Sequence, residues 1–454
     1  MGHAMAHLQS LRKLRLPKLF QFVTPVFLLP IIGSLTPATG QMFQLEGIDT
    51  SAELRYRGTF FDDFGLYEKN RKNSDPQEWE HEFRGDILLK KGRHLLEFRL
   101  GHWIMDEDQL LSPPEETTEQ VHQAYLDFSI PAYEGLNARI GRQELSYNKG
   151  ILVDENDWDM EGFYFDAAKL YYDGTSWDID LLYGQMADEH DNELAGINFE
   201  HTSERNTINE FYLWYFGIEE GQDRIPLTGS QGVEALNFGT RMEGKLTDEL
   251  FYHWMFNYQT GDMHTGGTAL DIDAYHFLIN FDYFINHKIF RNAGIEFTYS
   301  SGNDGDTPGK SETFIPAYGD KHTRSGAMDW MSMMNSEILT VYLFADLHPK
   351  VNALLEYHHF YMSSLDAGWY LGNLGAAWWD TGSLQKWPTP GAAAAGVSRE
   401  VGSEIDLHVH IGNNPDRRLS LGYSVFMPGS LLESWNWLED DTTTWGYVQT
   451  DLKF

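Results

Sequence analysis

The chain ends with the stretch Val448-Gln449-Thr450-Asp451-Leu452-Lys453-Phe454. In an extended chain every second residue of this stretch, from Val448 to Phe454, would face one way, and the polar residues between them would face the other. A period of two residues is typical of a β-strand with one apolar and one wet face. The stretch therefore predicts an amphipathic final strand that ends on an aromatic residue.

The same alternation recurs along the chain from Ile48 onward. Leu54 and Tyr56, for example, alternate with Arg55 and Arg57. Eighteen segments are candidate strands, and they begin near residues 50, 80, 94, 121, 136, 163, 176, 195, 209, 234, 250, 273, 291, 338, 352, 404, 418 and 444. So many strands are too many for one soluble sandwich, whereas the apolar face of each strand would suit lipid around a membrane barrel.

The lengths of the connections also favour a barrel. Outer-membrane barrels join their strands alternately by short periplasmic turns and longer external loops. Short links occur here at 90–93, 172–175, 246–249, 286–288, 348–350 and 414–417, and long polar stretches lie at 62–79, 106–119, 148–162, 302–336 and 363–402. We therefore predict an all-β fold, a transmembrane antiparallel up-and-down β-barrel of about 18 strands with both termini periplasmic.

The start of the chain differs from the rest. A cationic segment that includes Arg12 and Lys18 precedes a mainly apolar run at 20–35, and the small residues Ala38-Thr39-Gly40 follow. This order is typical of a secretory signal peptide. We therefore assign residues 1–40 to a signal peptide and residues 41–454 to the outer-membrane β-barrel domain. No later apolar run is long enough for a membrane-spanning helix.

The composition excludes several classes of function. The chain carries 68 acidic and 33 basic residues, and its formal net charge of -35 argues against nucleic acid as a partner. Cysteine is absent, which excludes disulfides and thiol chemistry. An aromatic content of 14% argues against disorder. Because the motifs of serine hydrolases, zinc proteases and phosphate-binding loops are also missing, we predict neither an enzyme nor a bound cofactor.

A set of short motifs runs through most of the mature chain. These motifs are Arg139–Tyr147, Trp158, Phe165–Ala168, Tyr299–Asn303, Phe314–Pro316, His322, Gly326–Asp329, Tyr357–Phe360, Gly402–Leu407 and Phe426–Gly429. In this order they resemble the alginate export porin family. The resemblance implies an 18-stranded channel in the outer membrane of a Gram-negative bacterium, with a polyuronate as the exported solute.

Two positions depart from the pattern of that family. Members usually carry an arginine after the motif at Arg139–Tyr147, where this chain has Ile151–Asp154. They also carry a Gly-Arg pair before the motif at Phe165–Ala168, where this chain has Gly162-Phe163. In the family those arginines belong to a positive path that favours a polyanion. The departures therefore bear on the alginate substrate, and not on the barrel.

Charged residues on the polar parity of each strand are the candidates for pore lining and solute contact. We select Arg55, Arg57, Arg84, Arg99, Asp127, Arg142, Asp166, Arg241, Glu404 and Asp406. The arginines of the first strands would form an arc that faces a more acidic arc across the pore and selects solutes by charge. Alternatively, arginines and carboxylates on neighbouring strands pair as struts of the wall. Strands near residues 163 and 211 carry apolar residues on both parities, so their facing stays open.

Two further groups concern metals and membrane partners. His408 and His410 share one face with Asp406, but we predict no metal site because histidines commonly line a wet lumen. The acidic stretches 106–116 and 188–193 could take up divalent cations beside the phosphates of lipopolysaccharide. The expected partners are outer-membrane lipid and lipopolysaccharide and a hydrophilic solute or polysaccharide, with a periplasmic partner as a further candidate.

These features predict a passive channel or exporter for a hydrophilic solute. The alternative is a structural sleeve that holds a protein partner without solute flux. Because inward acidic residues outnumber inward basic ones, we expect a weak preference for cations, with the arginines as a local contact for hydroxyl or carboxylate groups. The loops at 302–336 and 363–402 carry many aromatics and methionines, so we expect both to fold over or into the external mouth.

Overall fold

Eighteen long strands form one closed antiparallel barrel within the described part of the chain. A computed structural model describes residues 47–62, 78–106, 116–187, 192–203, 207–219, 231–265, 268–304, 306–320, 322–370, 385–386, 396–414, 417–434 and 442–454. The strands are β1 (Asp49–Asp62), β2 (Glu78–Lys91), β3 (His94–Asp106), β4 (Glu116–Ser129), β5 (Leu136–Gln143), β6 (Phe165–Asp173), β7 (Trp177–Met186), β8 (Glu193–Thr202), β9 (Ile208–Ile218), β10 (Gln231–Lys245), β11 (Leu250–Thr265), β12 (Thr268–Phe284), β13 (Phe290–Ser300), β14 (Ser336–His348), β15 (Val351–Met362), β16 (Glu400–Asn414), β17 (Arg417–Pro428) and β18 (Thr443–Lys453). A short helix, α1 (Ser430–Ser434), precedes β18.

The last strand closes the barrel on the first. β18 pairs antiparallel with β1, from Glu53 opposite Lys453 to Asp62 opposite Thr444. Closure matters because an open strand edge in lipid leaves backbone groups unpaired, at a cost of several kcal/mol each. The predicted fold class and the predicted number of strands are confirmed. The assignment of both termini to the periplasm and the signal peptide remain predictions, and residues 1–40 lie outside the described residues.

The connections follow the predicted alternation with one exception. Each predicted short link joins neighbouring strands at the end that we call the short-turn end, and most links at the opposite, long-loop end are longer. The exception lies at the long-loop end, where only residues 266–267 separate β11 from β12. All predicted strand starts lie within a few residues of the observed ones.

Large apolar side chains cover the outside of the barrel. Leu126, Phe211 and Ile140 are 61%, 55% and 54% exposed. Such exposure on every second residue of a strand is typical of a lipid-facing surface, because a soluble protein would bury these side chains. Within the described residues, no helix is long and apolar enough to cross a membrane.

Two loops fold into the lumen and meet there. We call residues 144–164 inner loop 1 and residues 301–335 inner loop 2. The amide of Asp154 donates to the carbonyl of Tyr318 at 2.8 Å, and the amide of Tyr318 donates to the carbonyl of Leu152 at 3.1 Å. Leu152 and Tyr318 are fully buried. The prediction that the loop at 302–336 folds inward is confirmed, whereas most of 363–402 lies outside the described residues.

The inner loops explain the strands that are apolar on both parities. In β9, Trp214 and Phe216 face the lumen and are fully buried in a core that includes Ile151 and Tyr318 of the inner loops. Phe211, on the other parity, is exposed on the outer face. These inward positions are therefore apolar because they pack against the inner loops instead of water.

Candidate channel constriction

Four arginines on β1, β2 and β3 hold inner loop 1, and we call Arg55, Arg57, Arg84 and Arg99 the arginine arc. Arg55 lies directly opposite Arg84 across β1 and β2. The carboxylate of Asp157 lies between them, with one oxygen 2.6 Å from Arg55 Nη2 and the other 2.8 Å from Arg84 Nη2. Burial alone would raise the pKa of Asp157, but Arg84 and Arg55 lower it well below its usual range. One loop carboxylate thus bridges two like charges and reduces the repulsion between them.

A second contact clamps the two inner loops together. The guanidinium of Arg57 lies 4.0 Å from the ring centre of Trp158 and donates to its backbone carbonyl at 2.8 Å. On its other side Trp158 stacks on His322 of inner loop 2, with ring centres 3.9 Å apart and planes 11° apart. His322 Nδ1 lies 3.1 Å from a carboxylate oxygen of Asp329. The resulting column runs from the wall through inner loop 1 to inner loop 2.

The arginine arc also forms ion pairs within the wall of the barrel. Arg57 forms an ion pair with Glu82, and Arg99 lies 2.7 Å from Asp86; each pair occupies directly opposite positions of neighbouring strands. Arg55 also pairs with Asp451 of β18 at 3.1 Å. These contacts match the alternative in which arginines and carboxylates on neighbouring strands pair as struts of the wall.

Arg142 and Asp166 lie on the outer parity of the barrel. They are directly opposite each other on β5 and β6, and Arg142 Nε lies 2.9 Å from Asp166 Oδ1. They share their face with exposed Ile140. Arg142 Nη1 also donates to the carbonyl of Val121, just beyond the end of the pairing between β4 and β5. The prediction that this pair lines the pore is wrong, because the alternation of β5 directs it outward.

Glu404 and Asp406 on β16 lie behind inner loop 2. Both are fully buried. Glu404 accepts a hydrogen bond of 2.9 Å from the amide of Met328, and Asp406 lies 3.2 Å from His358 Nε2. Both side chains thus face the lumen but are covered by inner loop 2. His408 and His410 bond to Tyr447 and Ser420, and among the described residues no group of three or more histidines and acids could hold a metal ion.

Asp127 and Arg241, the last two of the candidate residues, belong to a polar region at the short-turn end of the barrel. Arg241 forms ion pairs with Glu210 and, at 3.0 Å, with Glu200. It lines a cavity of about 470 Å³ together with Arg139, Ser146, Tyr147, Asn148, Lys149, Lys169, Tyr171, Asp173, Asp178, Asp180, Asn198, Glu200 and Glu210. Asp127 supports this cavity from behind, because it accepts hydrogen bonds from Arg139 at 2.8 Å and Tyr171 at 2.9 Å.

Sequence reasoning missed the residues of the inner loops that meet the wall. Asp157 and Tyr147 lie in segments without a period of two, so no parity could assign them a face. Trp158 and His322 are two of the family motifs found in the sequence, but the motifs gave no indication that the two side chains stack. The inward acids Asp178 and Asp180 follow from their polar parity in β7.

The comparisons with known proteins agree with this architecture. The alginate export family matches residues 48–436, which is most of the chain. The chain belongs to the alginate export family. The resemblance found in the sequence is thereby confirmed, and with it a porin-like channel for solutes in a Gram-negative outer membrane. No curated protein matches this member of the family.

Solved porins from Pseudomonas aeruginosa share the fold of this alginate export family member. The outer membrane protein OpdK is 12% identical, with a TM-score of 0.55 over 89% of this chain and 99% of that chain. OpdO is 10% identical, with a TM-score of 0.54 over 90% of this chain and 98% of that chain. OccK5 (OpdH) is 10% identical, with a TM-score of 0.53 over 89% of this chain and 98% of that chain. At these identities the likeness concerns the fold alone.

Proposed function

We propose that this barrel is a constricted diffusion channel with a weak preference for cations, in which the arginine arc anchors inner loop 1 instead of offering an open anion path. The observation that carries the proposal is the position of Asp157 between Arg55 and Arg84. Arginines with carboxylate partners attract a passing anion much less than free ones, because the net local charge is small.

Solute contact by the arginines is part of this proposal. Arg55 and Arg84 would meet a solute only when Asp157 leaves them, whereas Arg99 is held by Asp86 and, at 3.2 Å, by Glu97. The departures from the family motif at Ile151–Asp154 and Gly162-Phe163 support the same view, since they remove positive charge from inner loop 1. Asp154 adds acid there, and burial raises its pKa to about 6.

The binding partners of the barrel are also part of this proposal. The sleeve hypothesis is less favoured, because buried residues of the chain's own inner loops, such as Leu152 and Tyr318, already occupy the lumen. Lipopolysaccharide and a periplasmic protein remain proposed partners, and we propose that the protein performs no covalent chemistry.

The test is the reversal potential of the purified protein in a planar bilayer under a KCl gradient. We expect a weak cation preference for the wild type. Asp157→Asn should shift the reversal potential towards anions, because Arg55 and Arg84 lose their shared counter-ion. Glu155→Gln is the matched control: it removes the same charge from the same loop, and within the described residues Glu155 forms no ion pair.

Two outcomes would contradict the proposal. A clear anion preference in the wild type that Arg84→Ala together with Arg99→Ala abolishes would show that these arginines conduct anions. A wild type without any single-channel conductance would favour the sleeve.

A further inference from the structure

The polar cavity at the short-turn ends of β5 to β10 plays no part in anchoring the inner loops to the arginine arc. Its volume of about 470 Å³ lies in the range of small-molecule sites. Tyr147 and Lys149 of inner loop 1 bound it on one side, and wall residues such as Lys169 and Asp180 bound it on the other. The cavity is therefore a pocket in the wall of the lumen beside the constriction.

A buried network fixes the part of inner loop 1 that bounds this cavity. Trp214 Nε1 donates to Asn148 Oδ1 at 3.0 Å, and Asn148 Nδ2 donates to Glu210 at 3.0 Å. Asn148 and Lys149 have φ values of 56° and 55°, in the left-handed region that residues other than glycine rarely adopt. Such a turn persists only where its surroundings enforce it, and such turns cluster at binding sites. Tyr147 is thus presented in one orientation, with its ring centre 4.8 Å from that of Trp214.

The lysine side chains that line the cavity already form ion pairs with carboxylates. Lys169 lies 2.7 Å from Asp180, and Lys149 lies 3.1 Å from Glu243. Two further acids, Asp173 and Asp178, lie directly opposite each other on β6 and β7. Within the described residues, neither has a lysine or arginine at ion-pair distance. An anionic ligand would therefore be repelled here, whereas hydroxyl groups could donate to both carboxylates.

Two more features favour a ligand with hydroxyl groups and an apolar face. Asn198 lines the cavity, is only 9% exposed, and its Oδ1 accepts no hydrogen bond. A buried acceptor without a donor is costly unless a ligand or water satisfies it. Tyr147 and Tyr171 also line the cavity, and their rings offer apolar surface beside the polar groups.

We propose that this cavity binds one unit of an uncharged, hydroxyl-rich saccharide, with Asp173, Asp178 and Asn198 as hydrogen-bond acceptors and the two tyrosines as the apolar platform. The inference deepens the proposed function, since it names the class of solute that the channel would hold beside its constriction. Such a site would also distinguish this channel from one that carries polyuronates, because it disfavours the carboxylate groups of the ligand.

The test is isothermal titration of the full-length protein in detergent with maltotriose, and with trigalacturonate as an anionic trisaccharide of the same length. We expect maltotriose to bind more tightly than trigalacturonate. The double variant Asp173→Asn, Asp178→Asn should weaken maltotriose binding roughly tenfold and narrow the difference between the two probes. The control Asp248→Asn, Glu249→Gln removes the same charges from an exposed turn outside the cavity and should change neither affinity.

A further variant separates binding from folding. Asn198→Leu removes an acceptor without a hydrogen-bond partner, so we expect normal folding but weaker maltotriose binding. Equal or tighter binding of trigalacturonate, no binding of maltotriose, or wild-type affinity in both cavity variants would overturn the proposal. Titration needs no ion flow, so a failure here is distinct from a failure of the cation preference, which the reversal potential measures.

Discussion

Ala52 and Phe454 exchange two backbone hydrogen bonds, from the amide of Ala52 to the carbonyl of Phe454 at 3.1 Å and from the amide of Phe454 to the carbonyl of Ala52 at 2.8 Å. The last residue of the chain is thus paired with the first strand. Closure of the barrel uses the whole length of β18, so the final residues contribute directly to the pairing of the first ones.

Removal of β18 should prevent closure. A chain that lacks residues 443–454 would leave an unpaired edge on both β1 and β17, at several kcal/mol for each unpaired backbone group in lipid. We expect almost no folded barrel after refolding into vesicles, measured by the mobility difference between heated and unheated samples in gel electrophoresis. Phe454→Tyr, which keeps the backbone and an aromatic ring, should fold like the wild type. A wild-type folded fraction of the truncated chain would contradict the prediction.

Tyr318→Ala should loosen both inner loops. Tyr318 is fully buried and makes edge contacts with Phe165 and Phe216, with ring centres 5.3 and 5.5 Å apart. Loss of such an aromatic side chain weakens packing by about 3–5 kcal/mol. We expect a higher and noisier single-channel conductance in planar bilayers. Tyr318→Phe keeps the ring and serves as the control, and an unchanged conductance of Tyr318→Ala would speak against a constricting role of the loops.

The contact between His322 and Asp329 should make the constriction sensitive to alkaline pH. Burial opposes protonation of His322, but Asp329 and Asp320 outweigh burial and the opposing charge of Arg57, so the pKa of His322 is raised. Protonated His322 therefore stabilises the folded state. This stabilisation is complete at pH values below about 6.5, the pKa of histidine in the unfolded chain, and it is lost as the pH rises through the pKa of His322 in the folded protein. We expect conductance fluctuations to increase between neutral and alkaline pH. His322→Gln should remove this dependence, and a persistent dependence in that variant would assign it to other groups.

Removal of Arg142 alone should cost more stability than removal of the whole outer pair. Arg142→Met leaves Asp166 unpaired beside apolar Ile140 on the outer face, which we expect to cost about 1–3 kcal/mol of unfolding free energy. The double variant Arg142→Met, Asp166→Leu should regain most of that loss. Unfolding by urea in lipid vesicles measures both. If the double variant is less stable than Arg142→Met, the pair contributes more than mutual neutralisation.

The candidate site could be predicted only in part from the sequence. Alternation placed Arg55, Arg57, Arg84 and Arg99 on the inward parity, and each contacts inner loop 1 or a neighbouring strand from there. The inward assignment of Arg142 is wrong because it follows the charge of the residue and not the alternation of its strand. Arg139 and Arg142 are three residues apart, so in one strand they cannot share a face, and that spacing could have corrected the assignment.

The sequence by itself determined the closed barrel, because period-two alternation, the short turns and the aromatic end at Phe454 are local features that every strand repeats. Only the tertiary structure decided what fills the lumen. The position of Asp157 between Arg55 and Arg84, and the stacking of Trp158 on His322, join loops and strands far apart in the chain. Inner loops lack a repeating period, and their contacts depend on strand register and on which side chains pack together in three dimensions.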